Sequence, residues 1–164
     1  SSGVLHHTKN SKEGFLIISE WLKPSGIIII GLYNKYGRFW TNIRQFLFKI
    51  LGSKSLAKYV IKFLDPNLRK SRSKEQEDAW IIDQYAHPIE RSHTLDEVLS
   101  WFSEAGIDYI GSIPDANLDG TYIGFENMNG NKGTLTTRIA AQVGMLFTRL
   151  GSEGGLYIAI GKKK

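Results

Sequence analysis

KPSGIIIIGL, residues Lys23 to Leu32, decides how this chain folds. Pro24 disfavours a helical residue before it and Gly26 supplies a free turn, so a helix arriving from upstream has to end here. The run Ile27 to Leu32 is β-branched and shows no polar alternation, the pattern of a strand buried on both faces in a parallel sheet covered by helices. Upstream, Asn10 with Glu13 three residues later has the form of a helix cap. Phe15, Leu16, Ile18, Trp21 and Leu22 then repeat at helical spacing, predicting a helix over Ser11 to Leu22. Ser1 to Leu5 reads as the end of another strand, with His6-His7-Thr8 in the loop after it. Strand, helix and strand make one right-handed crossover unit, and the chain is therefore read as α/β.

The 164 residues fit one domain, 41% apolar and 23% charged, enough to form a core and not charged enough to prevent one. There is no Cys, which excludes a disulfide framework, a thiolate nucleophile and a sulfur-held zinc. No apolar run approaches the about 20 residues that span a bilayer, so the chain reads as soluble and cytoplasmic. It opens with Ser1 rather than Met, directly in a strand-like segment, and an upstream part is expected.

The remaining elements follow from periodicity. Phe39, Trp40, Ile43, Phe46, Leu47, Ile50 and Leu51 recur at steps of three and four, and Leu56 to Leu64 gives a second short helix stopped at Asp65-Pro66. Residues 65 to 92 read as mostly irregular, carrying the cluster Trp80, Asp83, Tyr85, His87, Pro88 and Glu90; loops this long are often functional. Thr94 with Glu97 forms a capping box before a helix with Leu95, Val98, Leu99 and Phe102 on its core face. Strands are predicted over Ile107 to Ile113 and Leu156 to Ile160, with a polar loop over Asp115 to Lys132 and a helix marked by Leu135, Ile139, Val143, Phe147 and Leu150 between them.

Chemistry-bearing patterns are sparse. The glycines match no phosphate-cradling loop, because Gly130 and Gly133 follow a polar loop and Gly151 to Gly155 precede a strand rather than a helix. The four His match no metal-ligand spacing, and no metal is expected. His93, just before Thr94, fits a structural role. His6-His7 and Tyr33-Asn34 instead follow the carboxyl ends of parallel strands, where open α/β sheets place ligands. Residues 35 to 74 carry 11 Lys/Arg against one acidic residue, while 75 to 164 carry 7 against 13, so the basicity is local. Three readings fit that basic helical pair: a solvated face, a nucleic-acid surface, or a lid for an anionic or membrane-borne substrate. Interleaved Phe39, Trp40, Phe46, Phe48 and Tyr59 suit a hydrophobic lid or interfacial helix, and weigh against nucleic acid, which needs only the Lys and Arg.

The order of motifs resembles the C-terminal half of a class I S-adenosylmethionine-dependent methyltransferase. The resemblance runs through GVLHHT (Gly3 to Thr8), LKPSG (Leu22 to Gly26), IIGLYNKYGR (Ile29 to Arg38), WIIDQYAHPIERSHTLDEVLSWF (Trp80 to Phe102) and EGGLYIAIGKK (Glu153 to Lys163), nearly the whole chain. It implies a partial Rossmann-like sheet in which Ser1 to Leu5 and Ile27 to Leu32 are parallel neighbours. The last strand would insert antiparallel beside the latter, Ile107 to Ile113 would form the outer edge, and residues 35 to 74 would be a helical lid. The family's glycine-rich turn and its acidic ribose-holding residue lie upstream of these motifs, which leaves Ser1 to Leu5 with an unpaired edge and the chain inactive alone. The resemblance further implies S-adenosylmethionine as cofactor, with Gly3, Val4 and Leu5 in backbone contact with it. His7 or His87 would be the base. His6, Tyr33, Asn34, Tyr36, Arg38, Asp83 and Tyr85 would line the pocket of a small-molecule or lipid-like acceptor, Asp83 alternatively orienting a His or pairing with Arg38. The reading from a different class is a non-catalytic module docking on anionic membrane or RNA through the basic pair.

Overall fold

The computed structural model describes residues 1–51, 54–70, 73–85, 90–118, 130–148 and 154–164. Four strands form one mixed sheet in the order β2-β1-β4-β3, with β1 at Ile27–Asn34, β2 at Ser92–His93, β3 at Ile107–Ile113 and β4 at Leu156–Lys163. The last strand in sequence lies antiparallel to both β1 and β3, and β3 is the outer edge, as the resemblance implied. On the other side of β1 two parallel segments share one edge. Ser1 to Gly3 pairs beside Ile29 to Gly31, through Gly31 N to Ser1 O (2.9 Å) and Gly3 N to Gly31 O (3.2 Å), and β2 pairs with Tyr33 and Asn34. The parallel start is therefore shorter than expected, because the chain turns into a single 3-10 turn at Leu5–His7. Gly31 is what lets it approach: a Cβ there would come within 2.5 Å of Ser2 Oγ.

Helix α1 (Ser11–Glu20) opens on the Asn10 cap, whose side chain accepts from Glu13 N at 3.3 Å, and α6 (Leu95–Glu104) on the full Thr94/Glu97 capping box. Both pack on one face of the sheet, where Phe15, wholly buried, lies against Trp101 and Phe102 with ring centroids 5.9 and 5.5 Å away. Ile28, Ile30, Leu32, Tyr157 and Ala159 complete that core. Side chains alternate along a strand, so Ile27, Ile29 and Tyr33 point to the opposite face. There the expectation of a strand buried on both sides fails in its first half. Ile27 is 60% and Ile29 40% exposed, and Ile113, which shares that face through its pairing with Ile158, is 37% exposed. Only the far end of β1 is covered on this side.

The cover comes from α2 (Phe39–Ile50), α3 (Lys54–Leu64), α4 (Pro66–Lys70) and α5 (Lys74–Tyr85). The reading of 65 to 92 as irregular is corrected by two of these helices. Pro66 opens α4 rather than ending structure, because Pro suits a first helical position, and Ser73 caps α5 by accepting from Gln76 N at 3.2 Å. Residues 86–89 lie outside the described residues, as do 119–129 within the polar stretch expected over Asp115 to Lys132. The helix expected over Leu135 to Leu150 is α7 (Leu135–Gly144) followed by a 3-10 turn at Met145–Phe147; Leu150 lies outside the described residues.

Candidate functional site at the carboxyl end of the first strand

Tyr33 organises this end of the sheet. It is the last residue of β1 on the face that α1 and α6 do not cover, and only 7% of it is exposed. The His6 ring centroid lies 4.0 Å from its ring and the Arg38 guanidinium 3.6 Å. Two planar groups that close cannot share one face, so the phenol is sandwiched between imidazole and guanidinium. His7 follows, 4.2 Å from His6 and edge-on to Tyr33 at 6.2 Å. Burial raises the Tyr33 pKa above its ordinary 10.0, opposed by the Arg38 charge, and the phenol keeps its proton at neutral pH. Its oxygen accepts from Gln84 Nε2 at 3.1 Å.

Arg38, wholly buried, caps the start of α2 and spends its guanidinium inside the protein. Nε donates to Glu90 Oε1 at 2.5 Å, Nη2 donates to Glu90 Oε2, and Nη1 donates to Gln84 Oε1 (3.1 Å) and to the Gly154 carbonyl (2.9 Å). Gln45 on α2 adds bonds to the Gln84 carbonyl (2.8 Å) and to Glu90 (3.3 Å). The carboxylate that pairs with Arg38 is thus Glu90, not Asp83. Asp83 stands exposed on α5 and accepts from Gln84 Nε2 at 2.7 Å. This network clamps α2 and α5 onto the end of β1.

Asn34 is wholly buried, and its amide is used by the fold: Oδ1 accepts from Tyr36 N and Gly37 N, and Nδ2 donates to Gln142 Oε1 at 2.8 Å. Tyr36 is 37% exposed on the turn so formed. Tyr85 points away from Tyr33, donating to Asp65 Oδ2 at 2.6 Å and stacking on Phe48; burial, then the Asp65 bond, push its pKa well up. His87 lies outside the described residues. Gly3 has φ +74 with open space where a Cβ would stand, Val4 is 58% exposed, and the Leu5 side chain enters the core. The structure therefore brings His6, His7, Tyr33 and Arg38 together, with Gly3 and Val4 on the rim beside them. Asn34 and Tyr85 serve neighbouring elements.

Sequence reasoning gave no role to Gln84 or Gln45, and named Glu90 only within a cluster and Asp65 only as a helix stop. Asp65 is buried, yet accepts from Asn67 N, Trp80 Nε1 and Tyr85 Oη, joining α4 to α5. The signal was present in spacing: Glu77, Asp78, Ile81, Gln84 and Tyr85 form one helical face, but three of those five are polar, so an apolar count does not see it. Among the described residues no three His, Asp or Glu converge as metal ligands, and no helix is long and apolar enough to cross a membrane.

No protein-family model matches the sequence. In fold the chain is similar to PKMT2 from Rickettsia typhi, with a TM-score of 0.60 at 13% identity over 99% of this chain. It is likewise similar to the same protein in complex with AdoHcy, with a TM-score of 0.58 at 13% identity over 98% of this chain. The chain spans 34% of the length of those neighbours. The likeness shows a partial methyltransferase-like α/β fold.

Proposed function

We propose that residues 1–164 are the acceptor-side part of an S-adenosylmethionine-dependent methyltransferase. The observation that carries this reading is the antiparallel β4 wedged between β1 and β3, together with the His6, His7 and Tyr33 cluster at the carboxyl end of β1, where open sheets place ligands. Support also comes from the AdoHcy bound to PKMT2, the demethylated form of such a cofactor. The bare Ile27/Ile29 face and the outer edge of Ser1 to Gly3 are where a larger doubly wound domain would continue.

The residues present fit one wall of a cofactor site. Gly3 and Val4 offer exposed backbone with no side chain crowding Gly3, and Leu5 anchors that backbone to the core. S-adenosylmethionine would supply an activated methyl group on a sulfonium. The chain's own part is to align an acceptor and take its proton. His6 is wholly buried, so His7, half-buried, is the nearer ring to an incoming acceptor. We assign it the base, with His87 as the other candidate from the sequence. Tyr33, held protonated, orients His6, and the α2–α5 cover excludes water from above. The acceptor class is a small or lipid-like molecule approaching past Tyr36.

The test is residue-resolved NMR of this chain titrated with S-adenosylhomocysteine. Millimolar ligand should shift the backbone amides of Gly3, Val4 and Leu5 before others. Shifts confined elsewhere, or none at millimolar ligand, would remove the cofactor-wall assignment. In a polypeptide that also carries the cofactor-holding strands, His7→Ala should lower turnover by about 100-fold with cofactor affinity unchanged.

A further inference from the structure

We propose that the outer face of α2 and α3 docks on the surface of an anionic lipid bilayer. The proposal goes beyond the enzymatic reading and stands without it. On α2, Phe39, Ile43, Phe46 and Ile50 follow one another at steps of four, three and four, which at 3.6 residues per turn places them in a single narrow stripe. That stripe faces away from the protein, with exposures of 49, 38, 63 and 62%. The opposite side of α2, carrying buried Thr41 and the Gln45 that bonds Gln84 and Glu90, is the side that meets the body. The inward side thus carries polar groups together with Phe48, which stacks on Tyr85, while a second apolar stripe, which an ordinary surface helix would bury, points out. On α3, Leu56, Tyr59 and Phe63 repeat the arrangement at 51, 76 and 73% exposure. Seven exposed large apolar side chains on two neighbouring helices of a folded domain mark a contact surface.

Charge selects the occupant. Residues 35 to 85 carry 11 Lys/Arg against 5 Asp/Glu, counting the acids of α5 that pair with α3, so the cover stays cationic. Lys58 and Lys62 are taken up by Asp78 and Glu77, which leaves few cations along α3 for a polyphosphate track. Lys49, Arg69 and Lys70 are exposed and without an acidic partner among the described residues. An apolar centre with aromatic Phe, Trp and Tyr side chains and basic groups around it is the composition of an interfacial helix. A second copy of this chain would set two such cationic covers against each other, whereas an anionic bilayer accepts both the aromatic side chains and the charge. Nucleic acid would call for cations at the centre of the patch.

The measurement is sedimentation of residues 1–164 with vesicles of phosphatidylcholine alone and of equimolar phosphatidylcholine and phosphatidylglycerol. The chain should co-sediment with the mixed vesicles, less so as salt rises, and remain in solution with the neutral ones. Phe46→Ser with Phe63→Ser should lower partitioning at least about tenfold, and because both side chains are exposed the thermal melt should stay in place. Lys49→Glu should weaken binding to anionic vesicles by a smaller factor. Failure to bind anionic vesicles, equal binding to neutral ones, or binding that the double serine variant retains would each overturn the proposal. So would a self-association, seen by sedimentation equilibrium without vesicle binding, that the double variant abolishes; it would assign the face to a second copy.

Discussion

Phe15 and Arg38 are both wholly buried, and what surrounds them differs in kind. Phe15 sits ring against ring with Trp101 and Phe102 between α1, α6 and the sheet, where contact area alone stabilises. Arg38 sits under α2 among Glu90, Gln84, Tyr33 and a carbonyl, and its position depends on every donor finding its acceptor. The first region is an apolar core with polar residues outside. The second sets a buried polar network beside a small apolar cluster of Ile61, Leu68, Ile81 and Tyr85, and leaves further apolar residues outside. A layer held by a buried polar network and a small apolar cluster turned inward has no use for the aromatic side chains on its outer face, and this frees that face of α2 and α3 to meet something else.

The sharpest way to break the contrast is to remove the key side chain of each region. Phe15→Ala deletes a fully buried ring at a site tightly packed by two others, and should cost about 4 kcal/mol of global stability, read from urea unfolding. Arg38→Met leaves the Glu90 carboxylate without its partner and should cost about 3 kcal/mol. Its loss should be local: hydrogen exchange should rise in α2 and α5 while α1, α6 and β4 keep their protection. Arg38→Met combined with Glu90→Leu should regain much of that cost, since no charge is then stranded. Equal loss of protection in both layers of the single variant would show that cover and sheet unfold as one unit, and the comparison would fail.

This difference also governed what could be read from the sequence. The sheet layer was legible because its residues obey apolar periodicity and its helices carry their own start signals. Asn10/Glu13 and Thr94/Glu97 mark the beginnings of α1 and α6, and the strand at Ile107–Ile113 falls where its composition places it. The order of β1, β4 and β3 was not in the periodicity at all; it came from the resemblance of whole motifs. Helix α5 was missed because its inward face includes Gln84, Glu77 and Asp78. Of the site, His6, His7 and Tyr33 were identified by their position at strand ends, and Arg38 only through the resemblance. Glu90 was noticed only as part of a cluster, since nothing in a sequence says which of several carboxylates will meet a given arginine 52 residues away. Ile27 and Ile29 illustrate the converse: a run of isoleucines states what a strand needs, and not whether this stretch of chain supplies it on both faces.

The smallest expected effect lies where the two regions meet, at His93. Its Nδ1 is 3.0 Å from Glu97 Oε2, its ring is edge-on to Trp101, and its Nε2 is buried with no partner among the described residues. Burial lowers its pKa below the ordinary 6.5 against the upward pull of Glu97, with Lys35 and Arg91 adding to the decrease. A histidine depressed in the folded state binds its proton more readily when unfolded. Its contribution is therefore complete above about pH 6.5, and is lost as the pH falls from there through the folded value. Glu97 adds a second loss at lower pH. Burial pushes it up, the bonds from Lys35 and His93 and a Thr94 backbone bond outweigh that, and its net pKa lies below 4.5. Urea unfolding of the wild type and of His93→Gln from pH 8 to pH 5 should give curves that converge toward the acid end, the difference staying within about 1 kcal/mol for so partly screened a group. Curves that run parallel across the range would mean that His93 titrates alike folded and unfolded, and that the junction between the polar cover and the apolar sheet carries no protonation-dependent stability of its own.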